Sequence, residues 1–271
     1  MRIALVDNGS LEPAAHVALR AAAAAIGEAS GLEVEAVSWR HSDRIPARDL
    51  GGRPAWTLAP WIRTRSAAGQ REFVIVPFFI SPQGAIGSLL RRDIELLRAE
   101  TGGFDLALTD GLAAPALAAI VEDRVREAAL ANGLRRPAVV VVDHGGPSRA
   151  SADVRNSAAN GARERLGAAI GPLAAASMES PEGPGFDFNR PLLAEALAAP
   201  GFNSGDVVIA PLFLSPGRHA GPRGDLARIA RDAQARLPEL RCHFAGLTGS
   251  HPIATESLAG ALSQALAAAL P

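Results

Sequence analysis

The sequence predicts an α/β protein of two tandem modules, each a four-stranded parallel sheet with helices on both faces, the modules facing each other across a cleft. Three observations carry this. Short apolar runs alternate with longer Ala/Leu/Arg-rich segments along the chain, the rhythm of βαβ units. Runs such as Val139-Val140-Val141-Val142 are apolar on both faces, as strands covered by helices on both sides must be. The second half of the chain also repeats the first.

The strand-like runs are residues 3–6, 33–37, 73–79 and 105–108 in the first half, and 138–142, 174–178, 206–214 and 241–245 in the second. Helical segments lie between them at 13–27, 88–100, 116–130, 154–170, 223–237 and 253–270. Residues 3–10 (IALVDNGS) match 139–146 (VVVVDHGG), and Ala114-Pro115 matches His251-Pro252. Residues 73–82 (FVIVPFFISP) match 207–216 (VVIAPLFLSP) with six identities in ten. The offsets of 136, 134 and 137 keep order and spacing, so the chain reads as a duplication of a flavodoxin-like module. The repeats are residues 1–133 and 134–271, divided where Gly133 and Pro137 break the helical pattern.

Composition narrows the function. The 271 residues carry 27 basic and 28 acidic side chains and are 48% apolar, which suits a folded core and not a general nucleic-acid binder. Every basic residue is Arg and Tyr is absent, so Schiff-base lysines, P-loop lysines and Lys/Tyr relays are excluded. Cys242 is the only cysteine and can form neither an internal disulfide nor a Cys-rich zinc site. The apolar run at 3–6 is too short for a leader and the Ala run at 21–25 too short to cross a bilayer. The expectation is a soluble, cytoplasmic protein with no membrane or nucleic-acid partner.

Duplication supplies an internal control. Residues kept in both halves (Asp7/Asp143, Gly9/Gly145, Pro77/Pro211, Ser81/Ser215 and Pro82/Pro216) serve the shared fold, whereas residues found in one half are candidates for chemistry. On that test Asn8 is replaced by His144 and Ala85 by His219. Both histidines follow strands, and in open α/β sheets ligands bind beyond the carboxyl ends of the strands. Two imidazoles from separate loops suit a divalent transition metal such as Fe, Co, Ni or Zn, and also proton transfer near neutral pH. A single His in such a loop is ordinarily a solvated turn residue. The pair, absent from the other half, is what marks these two.

The segments VVVDHGGPSR, VVIAPLFLSPGRHAGPRGDLARIA and GLTGSHPIATESLAGAL resemble the sirohydrochlorin chelatases, the class II chelatases of the cobalt- and iron-inserting type. That family's pattern is a strand ending in a His-Gly turn, a P-x-F-L-x-x-G-x-H loop and a late G-x-H-P. The match spans most of residues 138–271, and the first half resembles the same module without its histidines. Two departures stand out: the His-bearing module is the second, and its turn reads DHGG instead of HGS. The resemblance implies insertion of Co(II) or Fe(II) into sirohydrochlorin, toward sirohaem or cobalamin, with the metal as substrate and no nucleotide cofactor. Its metal-site histidines fall on His144 and His219, which would hold the ion and help remove the two pyrrole protons. A fused pair of modules is compatible with a monomer or a homodimer.

A ring with eight carboxylate arms calls for arginines, whose planar forks bind carboxylates bidentately. Arg149, Arg218 and Arg223 are the candidates, Arg218 foremost because it adjoins His219, while Arg91, Arg92 and Arg155 are read as solvated helix charges. Glu182, in a Pro/Gly-rich loop, is either an acid or third ligand or part of a surface excursion, and His251 is either a crevice residue or a helix cap. Asp225 is read as charging the start of its helix. Cys242 and His243 point to opposite sides of one strand and are assigned to packing. Residues 40–55, flanked by Trp39, Trp56 and Trp61, form a long connection that is a candidate lid. Two rival readings stand beside the chelatase: a non-catalytic metal or tetrapyrrole carrier, and an enzyme of another class on the same fold. The turns DNGSLE and DHGGPS give the latter no dinucleotide fingerprint.

Overall fold

The computed structural model describes residues 1–80 and 85–269, so the Ser81 and Pro82 members of the repeat lie outside the described residues. The chain forms two compact units, one of residues 1–113 with the segment from residue 254 onward, the other of residues 114–253. The first unit opens with β1 (Arg2–Asp7), α1 (Pro13–Ser30), β2 (Val34–Ser38), β3 (Trp56–Thr57), α2 (Leu58–Ala67), β4 (Glu72–Pro77), α3 (Ala85–Glu100) and β5 (Asp105–Leu108). The second contains α4 (Ala114–Ala131), β6 (Ala138–Asp143), α5 (Arg149–Leu166), β7 (Leu173–Ser177), α6 (Leu193–Ala198), β8 (Gly205–Pro211), α7 (Asp225–Arg236) and β9 (Leu240–Phe244). The last helix, α8 (Pro252–Ala269), belongs from residue 254 to the first unit. Repeats and compact units are therefore cut differently: α4, which closes the first repeat in sequence, lies along α5 in the second unit.

Both sheets are parallel, in the orders β3-β2-β1-β4-β5 and β7-β6-β8-β9. The first has one strand more than expected, because Trp56 and Thr57 pair with Val37 and Ser38. The connection before it is fastened down and is no free lid. Ile45, Leu50 and Ala55 bury one another, and the Arg20 guanidinium on α1 donates to the carbonyls of Leu50 (2.9 Å), Arg53 (2.7 Å) and Pro54 (3.1 Å). Trp61 and Trp39 are buried, whereas Trp56 is partly exposed beneath Arg65. In the second unit Val139–Val142 are fully buried, each worth roughly 1.5–3 kcal/mol. Val140 and Val142 pack with Leu193 and Leu197 of α6 and Leu226 and Ala230 of α7, which seats the start of α7 at the sheet's carboxyl end. Among the described residues no helix is long and apolar enough to cross a membrane.

Each unit buries a polar group behind its first strand. In the second, Arg155 is 1% exposed, contrary to its reading as a solvated charge. It lies 3.4 Å from Asp143 Oδ1, donates to Phe188 O at 2.8 Å and to Ser177 Oγ, and Ser177 donates in turn to Asp143 at 2.6 Å. In the first unit the matching Asp7 and Ser38 meet His16, whose Nδ1 is 3.4 Å from Ser38 Oγ. Asp7 Oδ1 and His16 Nε2 are buried without a hydrogen-bond partner among the described residues.

Burial pushes the Asp7 carboxyl up from 3.8 to about 6 and the His16 imidazole down from 6.5 to about 4. Keeping Asp7 protonated lowers stability as pH rises from about 4 to 6, since the unfolded chain has already lost that proton. Keeping His16 neutral lowers stability as pH falls from 6.5 to 4, since the unfolded chain has already gained one. Between about 4 and 6 the fold holds one proton on Asp7 and the unfolded chain one on His16, so the two slopes cancel. Asp7→Asn removes one slope. Its denaturant-derived unfolding free energy should climb between pH 4 and 6.5 and exceed that of the parent at pH 7 by up to about 3 kcal/mol. Parallel curves for the two proteins would refute the assignment.

Candidate metal site

Backbone geometry at two strand ends builds the site. After β6 the chain turns through His144-Gly145, where Met178 N donates to Asp143 O (2.8 Å) and Glu179 N to His144 O (3.1 Å). Gly145 has φ 84°, and a Cβ there would sit 1.9 Å from Glu179 O, so only glycine lets the ends of β6 and β7 close in this way. The turn sets Glu179 beside His144. The neighbouring strand β8 runs into the loop that carries His219, and that loop closes tightly on the start of α7: Leu226 N donates to His219 O (3.1 Å), and a Cβ on Gly224 would lie 2.5 Å from the same oxygen. Adjacent strands thus bring the imidazoles together, with ring centroids 4.7 Å apart and planes at 88°.

Each imidazole has an oxygen at Nδ1. His219 Nδ1 is 2.7 Å from Asp225 Oδ2, and His144 Nδ1 is 3.2 Å from Gly145 O and 3.6 Å from Glu179 Oε1. Asp225, the first residue of α7, also accepts from Arg228 (3.1 Å) and has Arg218 Nε 3.9 Å away. Hydrogen bonds from His219 and Arg228 hold its carboxyl below the ordinary carboxylate range. A cavity of about 490 Å³ is lined by these groups: His144, His219, Glu179, Asp225, Arg218 and Arg228, with Met178 and Ile229 as its apolar part. Among the described residues no cluster of three or more His, Cys, Asp or Glu is placed to hold a metal ion. An ion on the two imidazoles would complete its coordination with water or substrate. That open coordination suits an ion held briefly and handed on.

Of the residues singled out by sequence, His144, His219 and Arg218 meet at this cavity, and the Arg218 side chain is 82% exposed on its rim. The others do not line it. Arg149 begins α5 with its guanidinium 4.9 Å from the Phe188 ring centre, and Arg223 and Glu182 are exposed in their loops. His251 is buried, accepting from Ile253 N at 3.3 Å with Nε2 3.5 Å from Asp123, which is the capping alternative. His243 pairs with Asp206 at 3.0 Å, and burial pushes the Cys242 thiol up to about 11, leaving it no thiolate near neutrality. Glu179, Asp225 and Arg228 were not singled out as site residues. The signals existed: Glu179 stands two residues beyond its strand, where the His144 turn packs, and Asp225 and Arg228 are three apart on one helix face.

Residues 138–265 match the CbiX family model. No curated protein matches the chain by sequence. Among solved structures, the fold is similar to SirB from Bacillus subtilis with Fe3+ (TM-score 0.68, 14% identity, 99% of this chain and 97% of that one). It is also similar to SirB from Bacillus subtilis subspecies spizizenii in complex with cobalt (TM-score 0.67, 13% identity, 98% and 95% covered). A third is CbiX, described as the terminal enzyme for biosynthesis of siroheme in denitrifying bacteria (TM-score 0.64, 16% identity, 98% and 99% covered).

Proposed function

We propose that this protein, whose residues 138–265 match the CbiX family model, inserts a divalent metal ion, Co(II) or Fe(II), into sirohydrochlorin or a closely related tetrapyrrole. The observation that carries the reading is the convergence of His144 and His219, ring centres 4.7 Å apart, on one cavity rimmed by Arg218 and Arg228. Neutral imidazoles ligate the incoming ion, and the macrocycle's nitrogens replace them as its two pyrrole N–H protons leave. The protons have acceptors at hand in the vacated imidazoles and in the Glu179 carboxylate beside His144. Arg218 and Arg228 are mostly exposed, their side chains 82% and 59% accessible, and the N–H donors that Arg228 does not give to Asp225, with those of Arg218, can grip carboxylate arms. Asp225 keeps both near the histidines.

The test is an anaerobic optical assay of sirohydrochlorin with Co(II) and with Fe(II). Spectral conversion over many turnovers, faster than the protein-free blank, is the expected result and ranks the two metals. A spectral change on mixing that stops at one equivalent would favour a tetrapyrrole carrier. No change with either metal would remove sirohydrochlorin as the substrate.

A further inference from the structure

We propose that Asp225 is a positioning residue that fixes which nitrogen of His219 is offered to the metal, and that Arg228 makes this choice one-way. The inference rests on the reading of His219 as a metal ligand. An ionised carboxylate can only accept hydrogen bonds, so its 2.7 Å contact places the proton on His219 Nδ1 and leaves the Nε2 lone pair free. His144 reaches the same tautomer differently, through the backbone carbonyl of Gly145 at 3.2 Å, which no side-chain change removes. The two ligands are therefore unequal: one is set by the backbone, the other by a single side chain.

Arg228 turns this into a discriminating test. Its guanidinium carries donors only and occupies the second carboxylate oxygen at 3.1 Å. In Asp225→Asn, the one remaining oxygen is drawn to Arg228 and the amide NH2 is left facing His219 Nδ1. The ring must then accept at Nδ1 and carry its proton on Nε2, where the metal should bind. Asp225→Ala imposes no tautomer. The nearly isosteric Asn variant should accordingly be the worse of the two, whereas a role in packing or helix charging predicts the reverse. Adding Arg228→Ala to Asp225→Asn frees the amide to rotate and should restore the original tautomer.

The experiment pairs two readouts. In 15N NMR of the metal-free protein, His219 is expected to be protonated at Nδ1 in the parent and at Nε2 in Asp225→Asn. In a Co(II) titration followed by visible absorption, Asp225→Asn should bind roughly 10–100-fold more weakly than the parent. Asp225→Ala should lose less, and the double variant should recover to at least the Ala level. An Nε2-protonated His219 in the parent, or Asn binding as well as or better than Ala, would overturn the proposal. If the tautomers behave as expected but the parent itself fails to bind Co(II), the metal reading falls and the role of Asp225 in orienting the ring stands.

Discussion

His144→Ala and His219→Ala are each expected to slow metal insertion by at least about 10²-fold while leaving the protein folded. Both side chains are partly exposed (46% and 30%), so truncation opens no core cavity, and stability should change by no more than about 0.5 kcal/mol. The loss in rate follows from the open site. With no third His, Cys, Asp or Glu placed to complete a metal cluster among the described residues, one remaining imidazole cannot orient the ion. The double variant should therefore be little worse than either single one, the non-additivity expected of residues acting as a unit. Initial rates of spectral conversion, beside thermal midpoints, check both halves of the expectation. A single variant with the parental rate would remove that histidine from the mechanism.

The second large effect is on stability. Arg155→Met should lower the unfolding free energy of the second unit by about 3–5 kcal/mol, because it leaves the Asp143 carboxylate buried without its cation. For a unit of this size that is a fall of roughly 10 °C or more in midpoint. Asp143→Asn added to Arg155→Met should recover part of the loss by discharging the stranded group. A single variant within about 1 kcal/mol of the parent would show that the pair contributes little. The network also bears on the site. Asp143 precedes His144 and Ser177 lies two residues before Glu179, so its loss should reduce insertion activity below the temperature at which the protein unfolds.

Much of this was legible because period and punctuation carry local structure. The runs at 138–142 and 241–245 lie within one residue of β6 and β9, and for the first the reason is plain: four valines between Pro137 and Asp143 leave little freedom. Short elements were not legible: β3 has two residues and α6 six, and both are held by tertiary contacts. Nor was the membership of α4 and α8, because two Ala/Leu-rich helices do not specify by composition which compact unit they join. Arg155 shows a signal passed over. It lies in the stripe Ala152, Arg155, Ala158, Ala159 and Ala162, at the spacing of a buried helix face, and a charge in such a stripe implies a buried partner. In the site, the two histidines stood out because the other repeat lacks them, and Arg218 through its neighbour. Glu179 is not legible from composition: its place beside His144 depends on the close approach of Gly145 to the Glu179 carbonyl, a tertiary contact that would leave no room for a Cβ.

The most direct measurement is anomalous diffraction from crystals of the protein equilibrated anaerobically with Co(II), with no tetrapyrrole present. The account predicts one principal anomalous peak bonded to Nε2 of both His144 and His219, at roughly 2.0–2.2 Å, with water in the remaining positions and His219 Nδ1 still on Asp225. Cobalt bound at His243 and Asp206 with the cavity empty, or bonded through Nδ1 at either histidine, would contradict it.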